Sequence, residues 1–234
     1  MCSHYQAVKQ AERLRKYYET HRPDIRLPED MWPRYQGLFI RRPIAWDAGD
    51  PAVPGREAVA GRWGLIPAQV RADGLARAGK LSTFNARSET AAGSYTFGNA
   101  WRRGQHCIVP AEAIYEPDWR SGKAVPTRFT RADGHPLGIA GLWDRYRDAS
   151  GAWVETYTML TINASAHPLF RQFHRAGDEK RMVVVLPEGA YGDWLHADAT
   201  NRRDFLQGYP AERLQAQPEP TSGSGLLDLN LDGG

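Results

Sequence analysis

Four places in this 234-residue sequence hold residue types that can do chemistry, and the first stands at its start. Cys2 follows the initiator methionine, and a small second residue permits that methionine to be removed. The product is a cysteine with a free α-amine. Such an amine has an ordinary pKa of about 7.7–8.0 and the thiol one of about 8.5, so both nucleophilic forms exist near neutrality. A 1,2-aminothiol condenses with an aldehyde through its amine to give an imine, and its thiol then closes a five-membered thiazolidine ring. Closure within one residue has the proximity advantage of an intramolecular reaction. Read alone, Cys2 also fits an inert position in a frayed terminus.

The second place is Thr83 to Thr90, where Asn85, Arg87 and a helix-start pattern fall close together. An amide can bond neutral sugar oxygens, while a guanidinium and a helix N-terminus meet a phosphate. The same residues also fit a capped helix with a structural ion pair. The third is Glu116, which closes the apolar run that starts at Cys107. Partial desolvation there raises a carboxyl pKa and suits it to proton exchange; a solvent-facing edge glutamate is the alternative. Cys107 itself reads as an inert core thiol. The fourth is His174, in the charged loop from Phe173 to Met182, where a histidine can move protons at neutral pH or be ordinary surface. His4, His21, His106, His135 and His196 have no comparable context and receive no catalytic role, and His167 before Pro168 reads as a helix start.

Elements must hold these residues in place. Val8, Leu14, Tyr17 and Tyr18 fall near one face, which predicts a helix over residues 4–20, followed by an extended stretch through Pro23, Pro28 and Pro33. Short strands are expected at Gly37–Ile40 and Ala58–Trp63, and a helix over Ser88–Arg103. Further strands are expected near 106–109, 113–116, 126–131, 136–146, 153–162 and 182–186, with short helices at Ala166–Phe173 and Glu188–His196. Many strands with short connections and few helices imply an α+β fold whose mixed or antiparallel sheet curls into a barrel-like core with flanking helices. Residues 1–209 read as a single domain and 210–234 as a flexible acidic tail.

Composition narrows the setting. With 41% hydrophobic residues and eight tryptophans the chain can bury a sizeable core. No apolar run reaches the length of a membrane span, and the start lacks the apolar stretch of a signal peptide, so a cytoplasmic protein is expected. Two cysteines more than a hundred residues apart make neither a disulfide framework nor a four-ligand zinc site, and no metal or cofactor is expected. The net charge of +3 divides into −3 on residues 210–234, where Arg213 faces Glu212, Glu219, Asp228 and Asp232, and +6 on the rest. That excess, carried mostly by arginine, suits phosphate contact without requiring it.

Taken together, the motifs resemble the SRAP family, the SOS-response-associated peptidases. The resemblance rests on Met1-Cys2, Trp63-Gly64-Leu65-Ile66-Pro67, Asn85 to Thr90, Cys107 to Glu116 and His174 to Val185, in that order, and spans residues 1 to about 195. It implies a mixed barrel-like fold with a cleft for single-stranded DNA, and a monomer that senses abasic sites in DNA damage. It implies covalent trapping of the ring-opened abasic aldehyde as a thiazolidine on Cys2 after Met1 is lost. By the same resemblance Asn85 positions the terminal residue or the sugar, Glu116 handles protons, and His174 assists ring opening and reversal. Arg87 and His4 would meet phosphate, while Trp63 and Thr161 would line the DNA cleft. The family name also implies a cysteine-type peptidase, with a lyase-like activity on abasic DNA. The sequence departs from the family pattern at Ser3-His4, at Gln69, at Pro117, around Tyr35-Gln36-Gly37 and in an expanded loop after His174. A thiol peptidase or amidase and a non-catalytic nucleic-acid-binding module are the alternative readings.

Overall fold

The computed structural model of the chain describes residues 2–44 and 52–219. Its strands, in chain order, are β1 Tyr5–Ala7, β2 Asp30–Met31, β3 Gln36–Arg41, β4 Glu57–Trp63, β5 Asn85–Arg87 and β6 His106–Asp118. They continue with β7 Val125–Arg131, β8 Leu137–Arg147, β9 Trp153–Asn163, β10 Arg181–Val183, β11 Val185–Leu186 and β12 Leu214–Pro218. Four α-helices accompany them: α1 Ala11–Tyr18, α2 Leu75–Ala78, α3 Gly98–Arg102 and α4 Tyr191–His196.

Five strands close on themselves. β8 pairs β9, β9 pairs β4, β4 pairs β3, β3 pairs β6, and β6 returns to β8. The β4–β9 pairing is parallel and the others in the ring are antiparallel, so the expected mixed barrel within an α+β fold is present. The remaining strands extend the ring: β5 and β10 add to β9, β11 to β8, β1 and β7 to β6, β2 to β1, and β12 to β7.

Strand alternation decides what fills the ring, because successive side chains point to opposite faces. Phe39, Trp63, Cys107, Val109, Trp143, Tyr157 and Met159 share one buried cluster inside the barrel. Their neighbours Leu38, Ile40, Ile108, Ala140, Leu142 and Leu160 point outward, under Leu14 and Tyr18 of α1, Trp101 of α3 and Trp194 of α4. The interior is full: a Cβ on Gly141 would stand 2.4 Å from the Thr158 carbonyl oxygen and 2.9 Å from Cys107 Sγ. Each buried large apolar side chain contributes roughly 2–3 kcal/mol. The barrel is therefore a packed support, and any chemistry belongs at its rim.

Local propensity loses to sheet pairing in several places. Residues 4–20 are not one helix: Tyr5–Ala7 alternate in burial and pair with β6, and the helix begins only at Ala11. The expected Ser88–Arg103 helix is likewise broken. Asn85–Arg87 are drawn into parallel pairing with β9, and Ser94 Oγ accepts from the Thr96 and Phe97 amides to start a new turn before α3. The two strands expected at 106–109 and 113–116 are one, continuous through Pro110. Pro110 lies where β6 leaves β8 and takes up β1 and β7, close to where its missing amide costs little ladder bonding. Of the helix expected at 166–173, only a 3-10 turn at Phe170–Gln172 forms. The chain also stays ordered past residue 209. Leu214–Pro218 pair with Arg131–Thr127, which corrects the placing of a flexible tail at 210; the stretch from 220 to 234 lies outside the described residues.

Candidate active site

β1 brings the start of the chain to the barrel rim. Tyr5 is paired with Ile114, and the Tyr115 amide donates to the His4 carbonyl at 3.0 Å, which carries the ladder toward Cys2. Cys2 is fully buried, and its Sγ donates to the His4 carbonyl oxygen at 3.3 Å. Asn85 reaches it from β5: its Nδ2 donates to the Cys2 carbonyl at 2.6 Å, while its buried Oδ1 has no hydrogen-bond partner among the described residues. Glu116, near the end of β6, is buried and lies close enough for its charge to act on the Cys2 thiol. Burial first and the Glu116 carboxylate second push that thiol up to about 12. His174 Nε2 stands 2.9 Å from Glu116 Oε2, both side chains being buried.

The loop that carries His174 is fixed by its backbone. The His174 amide donates to the Pro117 carbonyl at 3.1 Å, and Lys180 Nζ donates to the carbonyls of His174 and Arg175. His174 has φ +66°, a left-handed conformation that costs a non-glycine residue roughly 1–3 kcal/mol unless its surroundings enforce it. The inserted residues 175–179 thus leave His174 on Glu116. All four residues singled out as catalytic therefore meet at one place on the rim.

The residues expected to meet DNA are placed otherwise. Trp63 and Thr161 are fully buried and offer no side-chain surface to a strand. Trp63 donates its indole N–H to the Phe84 carbonyl and packs edge-on to Tyr5 at 4.9 Å. Thr161 accepts from Arg181 Nη2 at 3.1 Å. His4 is no free phosphate ligand: its ring is stacked between Tyr115 at 3.9 Å and Trp32 at 4.2 Å, and its Nε2 bonds Asp30 at 2.8 Å. Arg87 is about half exposed and pairs with Glu179 at 2.6 Å, so a phosphate there must displace a carboxylate.

Residue patterns gave no notice of several supports. Arg181 is almost fully buried and binds Glu89 and Glu179, locking β10 to the turn after β5. Trp32 and Asp30 hold His4 from the short β2, whose place beside β1 no spacing announces. The only hint was Arg181 standing directly before the apolar strand residue Met182.

The fold is thus a closed five-stranded barrel with a buried Cys2 at its rim, an asparagine on the Cys2 carbonyl and a Glu–His pair beside it. Residues 1–221 match the profile of SRAP, the SOS response associated peptidases, and the chain belongs to that family. Among curated relatives it is similar to the "Abasic site processing protein YobE" of Bacillus subtilis, 29% identical over 160 residues, which are 66% of this chain and 67% of that one. It is also similar to the "Abasic site processing protein HMCES" of Gallus gallus, 27% identical over 181 residues. That match covers 68% of this chain and about half (52%) of the relative. A crystal structure of a Bordetella bronchiseptica protein superposes with a TM-score of 0.86 at 65% identity, covering 93% of this chain and 99% of that one. A Bacteroides thetaiotaomicron structure, at 21% identity and a TM-score of 0.73, covers 92% and 90% and shares the fold. No helix among the described residues is long and apolar enough to cross a membrane.

Proposed function

We propose that this protein processes abasic sites, binding single-stranded DNA and capturing the site covalently on Cys2 once Met1 has been removed. The observation that carries the reading is the convergence of Asn85, Glu116 and His174 on the buried Cys2. The names of the two curated relatives support the substrate class.

The chemistry balances without a cofactor. The α-amine of Cys2 adds to the aldehyde carbon of the ring-opened sugar, and water leaves as the imine forms. Sγ then adds to the same carbon while its proton passes to the former imine nitrogen. One aldehyde and one aminothiol give one thiazolidine and one water. A thiol held near 12 stays protonated at neutral pH, so the amine reacts first and the sulfur follows as its proton is taken. Glu116 is the acceptor nearest in role, and His174 at 2.9 Å relays the proton or delivers one to the sugar ring oxygen. The unfilled Asn85 Oδ1 accepts from the α-amine or a sugar hydroxyl and so orients the reacting atoms.

Denaturing gel electrophoresis of the mature protein with single-stranded DNA carrying one abasic site tests this. A heat-stable shifted band, absent with intact DNA, is expected. Absence of the band from protein verified to begin at Cys2 overturns the reading in favour of a thiol peptidase or a non-covalent binding module.

A further inference from the structure

β6 carries a second buried titratable residue at its other end. His106 is ten positions before Glu116, which at about 3.3 Å per residue puts the two roughly 30 Å apart along the strand. There two cavities of about 250 and 220 Å³ share Arg42, Arg103, Gly104 and Leu195 as lining. The first also meets His106, Trp143 and Ile44, and the second adds Arg102, Arg202 and Asp198.

The charge in this region is one-sided. Four guanidiniums face one lining carboxylate, Asp198, which is already occupied by the Thr200 amide and hydroxyl at 2.7 and 2.6 Å. Arg103 is half exposed and pairs with the buried Asp144 at 3.2 Å. Arg102 donates to Asn99 and the Ala92 carbonyl, and Arg202 to the carbonyls of Trp101 and Asp198. Arg42 has no acceptor among the described residues. A roomier cavity of about 520 Å³ beside β1 differs in this respect, since its Arg13 and Lys9 are matched by Glu112 and Glu29.

His106 is the independent sign of a ligand. It is 2% exposed, its ring stacks on Trp194 at 4.2 Å, and neither ring nitrogen makes a hydrogen bond of good geometry among the described residues, the Trp194 backbone being the polar group near it. A neutral imidazole has one N–H and one lone pair to satisfy, and buried polar atoms are seldom left without partners. Burial first, then the charges of Arg202 and Arg42, push its pKa down to about 3, so it is a neutral donor at working pH.

We infer that this pocket binds a phosphate monoester borne on a flat or apolar group, with Arg42, Arg103 and the His106 N–H on the phosphate and Trp143 and Ile44 against the rest. Guanidinium forks suit phosphate oxygens, a neutral imidazole N–H adds a donor, and the surplus of guanidinium charge disfavours a simple cation. A free nucleotide and the 5′-phosphorylated end of a DNA strand both present this chemistry.

Calorimetry on the full-length protein with deoxyadenosine monophosphate, inorganic phosphate, and short oligonucleotides with and without a 5′-phosphate tests the assignment. Binding of a phosphomonoester is expected, weakened at least about tenfold by Arg42→Ala, the loss of one charge-assisted contact. Arg42 makes no bond within the described residues, so that variant keeps the fold. Cys2→Ala is expected to bind as tightly as the unaltered protein, which separates this pocket from the rim site. Histidine ¹⁵N resonances should shift for His106 on saturation. Sensitivity of the mononucleotide to Arg42→Ala identifies a free ligand, and sensitivity of the phosphorylated oligonucleotide alone identifies a strand end. Binding of every probe unchanged by Arg42→Ala, or no binding to the unaltered protein, overturns the proposal.

Discussion

The two ends of β6 bury titratable groups to the same degree and treat them in opposite ways. At the Glu116 end a carboxylate is paired with His174 and adds to burial in raising the pKa of a neighbouring thiol. At the His106 end an imidazole has no hydrogen bond of good geometry among the described residues, and burial first, then the Arg202 and Arg42 guanidiniums, lower its pKa. Burial is the larger cause at both ends: it raises the thiol, which ionises to an anion, and lowers the imidazole, which ionises to a cation, and the neighbouring charge adds to it in each case. The lesson is that a buried polar group is read by its company. Glu116 has its partner in His174 beside the Cys2 thiol, whereas His106 faces a cavity lined by guanidiniums.

Substitutions at each end can sharpen this contrast. The largest effect is expected from Cys2→Ala, which should remove all covalent adduct with abasic single-stranded DNA while circular dichroism reports an unchanged fold. Arg42→Ala at the opposite end should leave the adduct intact. Adduct at normal yield from Cys2→Ala would break the division between the ends. Glu116→Gln should slow adduct formation by about 100-fold in single-turnover gels, the usual loss for a positioned proton carrier. It should also lower the pH at which the Cys2 thiol is alkylated, because the negative charge opposing ionisation is gone. Asn85→Ala removes the 2.6 Å bond to the Cys2 carbonyl and should cost about 1–2 kcal/mol in urea unfolding, with adduct formation slowed about tenfold.

The smallest effects are on the pH dependence of stability, and they have opposite signs. His106 falls from 6.5 to about 3 on folding, so the unfolded chain takes up the proton first. Stability is complete above 6.5 and declines as the pH drops toward 3. Cys2 rises from 9.0 to about 12, so stability is complete below 9 and declines as the pH climbs toward 12. His106→Phe, which keeps the ring stacked on Trp194, should flatten the acid limb by about one proton. Cys2→Ala should flatten the alkaline limb by the same amount. Unfolding curves across both ranges check this, and identical acid limbs with and without His106 would remove it as a proton-linked group.

Much of the strand content was legible because its signal is local. Residues 36–41, 57–63, 125–131, 137–147 and 153–163 follow the alternation and apolar runs expected of strands. Gly64 shows why a short motif can be informative: it has φ +130°, open to glycine alone, and its amide joins the Tyr157 carbonyl as the chain leaves β4. Segments where local preference competes with distant pairing were not legible. Tyr5–Ala7 lie in a helical pattern but pair across more than a hundred residues with β6, and Leu214–Pro218 lie in a polar tail composition but pair with β7. The same holds for the site. Cys2, Asn85, Glu116 and His174 could be named from residue type and motif order, whereas the burial of Trp63 and Thr161 and the stacking of His4 depend on which face of which strand each occupies.

The sequence by itself determined the inventory: a cysteine in second position, an amide, a carboxyl and an imidazole in motifs of recognisable order, and enough alternating apolar residues for a barrel. Only the tertiary structure decided which of these meet. Barrel closure brings residues 2, 85, 116 and 174 to one rim and takes Arg42, Arg103 and His106 to the other end. Ring closure is a property of five strands at once, and no segment of the chain encodes it alone.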